Sequence, residues 1–247
     1  MARGWYNKKP EEGTFMERHV LSDPNSVALE VAQSFEAFAE EAIDSRGRFL
    51  FVPSGGSTPK LALEAISQLP GMASTWRKTH VFFGDERCVS PDDARSNFRM
   101  VKATLLDHVG IPYGNIHRIK GELGPEAARA EYAAQLEEFF DGTPMMDLVH
   151  LGLGPDGHVA SLFPDGPELA SKDAVVWSFP SPGLEPQVAR VSLGLSVLNA
   201  SRNVQFIVTG ENKAEVVSKL GHGQYPADRV KAPRLIWFFD QAAARLK

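Results

Sequence analysis

A single cysteine, Cys88, stands among 247 residues, so neither an internal disulfide nor a thiolate metal cluster can form. Positive charge is not in excess. The 26 Lys and Arg against 31 Asp and Glu leave a net charge of −5, which excludes a general nucleic-acid binder working through a basic surface. No apolar run is long enough to cross a bilayer. The opening residues, Met1 to Tyr6 followed by Lys, Glu and Pro, lack the apolar stretch of a signal peptide, so the expected location is cytoplasmic. No Gly-Lys-Ser/Thr closes a Walker loop, no Gly-x-Ser-x-Gly elbow presents a serine nucleophile, and no His/Asp/Glu spacing suggests a metal site. Internal repeats, low-complexity tracts and long linkers are missing as well.

What is present is an ordinary globular composition, 43% apolar and 23% charged. The length suits a single domain over residues 1–247, with 1–20 as an N-terminal extension. Strand and helix patterns alternate, which predicts an α/β fold with a largely parallel sheet. Ser22-Asp23-Pro24 reads as a helix start, Val27, Val31, Phe35, Phe38 and Ala42 recur at helical spacing, and Gly47 stops the run. Short apolar strands are expected over 48–52, 80–83, 147–151, 204–208 and 235–239, with further strands near 175–177 and 188–195. Helices are expected from Pro59, around 98–106, over 126–140 and from Glu211.

The unusual segments follow strands, and in open parallel sheets ligands bind outside the C-terminal strand ends. The first, Ser54-Gly55-Gly56-Ser57-Thr58-Pro59, pairs glycines that admit close backbone approach with two hydroxyls and a helix N-terminus, a combination suited to phosphate. A plain tight turn with Thr58 as N-cap is the alternative. The second, Gly84-Asp85-Glu86-Arg87, carries a forked guanidinium for an oxyanion or phosphate. Asp85 and Glu86 are placed to orient that arginine or to contact sugar hydroxyls. A solvated, salt-bridged turn is the alternative there.

The third segment runs from Gly152 to His158. Gly152, Gly154 and Gly157 formally match the dinucleotide fingerprint, but Pro164 and Gly166-Pro167 cut short the helix that fingerprint needs. Asp156-Gly157-His158 reads better as an acid–base unit, with a histidine in a glycine-lined loop and a carboxylate near enough to orient it. The fourth, Gly210-Glu211-Asn212-Lys213, puts a lysine in the first turn of a helix, where a cation is unfavourable unless an anion lies between. Arg190, beside Val191-Ser192-Leu193, is a weaker candidate for the same duty. Cys88 follows the charged segment with no base beside it and is read as a bystander.

Together these segments resemble the 6-phosphogluconolactonase family. The resemblance runs through Ser-Gly-Gly-Ser-Thr-Pro (54–59), Phe83 to Arg87, Ser96-Asn97-Phe98 and Asp156-Gly157-His158-Val159-Ala160-Ser161-Leu162-Phe163-Pro164. It continues through Arg190 to Leu193, Leu198-Asn199-Ala200 and Gly210 to Lys213, so that it spans roughly residues 20–240 in order. It implies a Rossmann-like three-layer α/β/α fold shared with glucosamine-6-phosphate deaminases and ribose-5-phosphate isomerases. It also implies hydrolysis of 6-phosphogluconolactone in the pentose phosphate pathway without metal or organic cofactor. On the resemblance, His158 is the general base on water, Arg87 binds near the developing charge, and Gly55, Gly56, Ser57, Thr58, Arg190 and Lys213 hold the phosphate. The implied partner is a small phosphorylated sugar lactone, with no nucleic acid and no membrane, and a monomer is the working expectation.

Val159 and Ser192 stand where the family commonly has Thr. A glucosamine-6-phosphate deaminase is the nearer rival, but those typically read Asp-Glu-Tyr at 85–87 and carry Asn-Glu-Pro in the stretch after the histidine. A phosphosugar sensor joined to a DNA-binding helix pair is the other. It fits poorly, with about twenty residues before the first helix and no need for His158.

Overall fold

A computed structural model describes residues 15–245. In chain order, β1 (Phe15–Leu21) leads into α1 (Pro24–Arg46), and β2 (Phe49–Val52) into α2 (Ser57–Ser67) and α3 (Ala73–Arg77). Next, β3 (Thr79–Phe82) runs into β4 (Asp85–Arg87) and α4 (Asn97–Val101), which a π-helical turn extends to Leu106. Then come β5 (Ile116–His117), α5 (Pro125–Phe139), β6 (Leu148–Leu151), β7 (Val175–Ser178) and β8 (Arg190–Leu193). The chain closes with α6 (Leu195–Ala200), β9 (Asn203–Val208), α7 (Ala214–Ser218) and β10 (Arg234–Asp240).

Among the described residues, seven strands form the central sheet in the order β1-β10-β9-β6-β2-β3-β5, every neighbouring pair parallel. Helices lie on both of its sides. The smaller sheet, β4-β8-β7, is antiparallel.

Local chemistry explains the longest helix. Asp23 accepts from the N–H groups of Asn25 and Ser26 at 2.9 and 3.0 Å, Pro24 occupies the first turn, and Gly47 closes the helix at φ +75°. Its buried face carries Phe35 into the edges of Phe49 and Phe51 on β2, with ring centroids 5.3 and 4.9 Å apart. On another part of the sheet Phe206 stacks on Trp237 at 3.7 Å. The Tyr132 hydroxyl of α5 accepts from the Phe83 N–H at 2.9 Å and donates to the Phe83 carbonyl at 3.0 Å. That buried clip holds the exit of β3 and so aims β4.

Three expectations are corrected. Residues 15–21, expected to lie mostly in an extension, pair with β10 as an edge strand whose residues are all partly or fully exposed. Residues 85–87, expected within a rim loop, are a strand, because β8 pairs with them in register. Helix α2 starts at Ser57 with Gly56 as its cap residue, two positions before Pro59, and Thr58 is not its N-cap. Residues 1–14 of the expected extension lie outside the described residues.

Candidate functional site

From β2 the chain moves outward to β3 and β5, then returns to β6 on the opposite side of β2 and continues toward β9 and β10. The loops leaving β2 and β6 therefore diverge, and a crevice opens at that reversal. A cleft of about 270 Å³ lies there, and all four segments singled out in the sequence contribute to its lining.

Side chains stitch the rim together. The Gly152 N–H donates to Ser54 Oγ at 3.2 Å, joining the loops after β2 and β6. The Thr58 and Thr209 hydroxyls meet at 2.8 Å, joining the loops after β2 and β9. Gly55, Gly56, Ser57 and Thr58 all line the cleft, and no side chain caps α2, whose N-terminus opens there.

On the β6 side the imidazole of His158 lines the cleft and its Nδ1 lies 2.6 Å from Asp156 Oδ1. A carboxylate can only accept, so Nδ1 carries the proton and Nε2 keeps a free lone pair. Asp156 stands behind the imidazole, outside the lining. Burial would raise its carboxyl, but the hydrogen bond and charge of His158 more than offset this and hold it below its ordinary value. Gly154 is required here, since a β-carbon would collide with both the His158 ring and Asp156. Phe163 packs 4.9 Å from the His158 ring and 5.4 Å beneath the Arg190 guanidinium, so one buried ring braces both groups.

Arg87 and Arg190 face one another directly across the β4–β8 ladder, and both line the cleft. Like charges placed so are mutually destabilising. Arg87 donates to the Arg95 carbonyl at 2.5 Å and Arg190 to the Pro186 carbonyl at 3.3 Å, while the Nε of each is buried without a partner. Lys213, half-buried, is the third cation of the lining. None of the three has a carboxylate within ion-pair distance among the described residues. Burial pushes Arg190 below its ordinary pKa. The Arg87 charge adds to that effect, and Asp85 and Asp156 oppose it. Burial likewise lowers Lys213, with Asp156 opposing. An anion in the cleft would relieve all of these strains.

Asp85 reaches the lining but is already engaged. Its Oδ2 accepts from Ser161 Oγ at 2.6 Å and its Oδ1 from Asn97 Nδ2 at 3.1 Å. Glu86 is a correction to the sequence reading. Its side chain does not line the cleft. It is buried and accepts four hydrogen bonds of 2.7–2.9 Å, from the N–H groups of Arg87, Asn97 and Phe98 and from Ser96 Oγ. It anchors the start of α4, with burial raising its carboxyl and those donors opposing.

Cys88 is half-buried, and burial with Glu86 and Glu126 pushes its thiol up to about 11. Val159 is fully buried in the apolar core. The Ser192 hydroxyl accepts from the Ser161 N–H at 3.3 Å, so the departure at 192 keeps a working hydroxyl. Asn97, not chosen from the sequence as a site residue, also lines the cleft. Among the described residues no group of three or more His, Cys, Asp or Glu side chains is placed to hold a metal ion.

Residues 22–237 match the family described as glucosamine-6-phosphate isomerases/6-phosphogluconolactonase. A 6-phosphogluconolactonase of Rattus norvegicus is 39% identical over 240 residues, 92% of each chain. That of Homo sapiens is 40% identical over 213 residues, 82% of each chain. The crystal structure of 6-phosphogluconolactonase from Thermotoga maritima superposes with a TM-score of 0.81 at 30% identity, covering 92% of this chain and 100% of that one.

Proposed function

Since the chain belongs to the glucosamine-6-phosphate isomerase/6-phosphogluconolactonase family, we propose that it hydrolyses 6-phosphogluconolactone to 6-phosphogluconate and that His158 is the general base. The observation that carries this reading is the Asp156–His158 pair at 2.6 Å, opening onto a cleft that also holds Arg87, Arg190 and Lys213.

A lactone carbonyl is already activated, so no covalent nucleophile is needed. The site must aim a water, take its proton and stabilise the tetrahedral oxyanion. In this reading His158 Nε2 takes the proton as the water oxygen bonds to C1. Asp156 keeps Nδ1 protonated and compensates the imidazolium that forms. Arg87 faces the developing negative charge. When the intermediate collapses, the bond from C1 to the ring oxygen breaks, and the proton held on His158 returns to that oxygen to leave a hydroxyl. The product is the open-chain acid, and one water has been consumed.

The phosphate is the anion that the other cations await. Lys213, Arg190 and the α2 N-terminus with Gly55, Gly56, Ser57 and Thr58 hold it, far along the substrate from C1. Asp85 braces the cleft wall through Ser161 and Asn97. We read the enzyme as cytoplasmic, since a lone thiol suits a reducing compartment, and keep a monomer as the working expectation.

The test is a direct assay with freshly generated 6-phosphogluconolactone, corrected for its spontaneous hydrolysis. A purified, folded protein that does not exceed the spontaneous rate refutes the proposal.

A further inference from the structure

The cleft is rich in donors: two guanidiniums, an ammonium and the open end of a helix. A polyhydroxylated substrate also brings donors of its own, and these need acceptors. Asn97 is 3% exposed, sits at the first position of α4 and lines the cleft. Its backbone N–H is spent on Glu86 at 2.7 Å. Its Nδ2 donates to the Asp85 carbonyl at 2.9 Å and to Asp85 Oδ1 at 3.1 Å.

Those two contacts settle the orientation of the amide. Turned the other way, Asn97 would press its oxygen against two oxygens of Asp85, so the NH2 faces Asp85 and Oδ1 faces the cleft. There Oδ1 occupies the space in which a β-carbon of residue 55 would stand, and this is why the residue beside it is glycine. Asp85 is in turn locked by Ser161. The result is a neutral acceptor that cannot rotate, set under the Gly55 backbone.

We propose that Asn97 is a specificity-determining residue, whose Oδ1 accepts a hydrogen bond from one ring hydroxyl of the sugar lactone. The proposal rests on the lactonase reading above. A carboxylate at this point would repel the phosphate and the oxyanion, whereas an amide oxygen reads a hydroxyl without adding charge. A site built to pair with a hydroxyl discriminates against the analogue that lacks it, because its acceptor is then left unpaired.

The experiment compares 6-phosphogluconolactone with its 2-deoxy, 3-deoxy and 4-deoxy analogues on the wild type and on Asn97→Ala and Asn97→Ser, reading kcat/KM. In the wild type one analogue should lose about tenfold, the size of one neutral hydrogen bond. In Asn97→Ala that penalty should vanish while the penalties for the other two analogues persist, a non-additivity that mere loosening of the fold does not produce. Equal penalties in wild type and variants overturn the proposal. So does a wild type indifferent to all three deletions, a result that needs no variant to fold. Wild-type activity on 6-phosphogluconolactone no higher than the spontaneous rate is the failure of the lactonase reading instead, and it is seen before any analogue is tried.

Discussion

Replacing His158 by Gln removes the one free imidazole lone pair in the cleft and leaves an amide of similar size. The cations assigned to the phosphate sit on other elements, Arg190 on β8 and Lys213 ahead of α7, so substrate anchoring is untouched. General-base catalysis typically contributes about 10²–10⁴-fold. That is about 2.7–5.4 kcal/mol of barrier at 1.36 kcal/mol per tenfold. The expected outcome is therefore a kcat lowered by that factor with KM within a few-fold of wild type.

The assay follows proton release as the lactone opens, after subtraction of the spontaneous rate. A folded His158→Gln protein with near-normal kcat refutes the base assignment and turns attention to Asp85 and Glu185, the carboxylates of the lining.

Asp156→Asn should lower kcat by about 10–10²-fold, since an amide cannot compensate the imidazolium and permits the wrong tautomer. Unchanged kcat would show that the 2.6 Å contact is not used in turnover. Arg190→Ala and Lys213→Ala should each raise KM by about 10–10²-fold, the scale of one charge-assisted hydrogen bond of about 1.5–3 kcal/mol, measured against gluconolactone without phosphate as the insensitive control. Unchanged KM in both would place the phosphate elsewhere. His150, fully buried on β6, is pushed down to about 3 from 6.5, so the unfolded chain binds its proton first and stability is lost as pH falls from about 6.5 toward 3. At pH 4.5 this amounts to about 3 kcal/mol, and denaturant titrations at pH 7 and 4.5 should show a smaller loss in His150→Phe.

Much of this arrangement is legible in the residues because it is encoded locally. Asp23 and Gly47 bound α1 through caps that need no distant partner. The four chemical segments announce themselves because rim loops after parallel strands free glycines and charges from packing duties. What was missed depends on contacts distant in sequence. Strand β1 shows no apolar alternation, since an edge position leaves Phe15 and Val20 exposed, and only pairing with β10 makes it a strand. Asp85-Glu86-Arg87 reads as part of a rim loop until β8 is laid beside it. Glu86 and Asn97 look alike as polar neighbours of the motif. The fold sends Glu86 under α4 and Asn97 into the cleft, and no spacing rule foretells which goes where.

The opposed Arg87 and Arg190 carry a consequence for the stability of the protein. Repulsion across that ladder rung makes the empty protein less stable than its core alone would allow. Any phosphorylated ligand that seats between the cations relieves the repulsion and adds its binding free energy to the folded state, about 2.7 kcal/mol at a concentration one hundred times Kd. Resistance to heat should therefore rise with the concentration of such a ligand, which a thermal melt series reads directly.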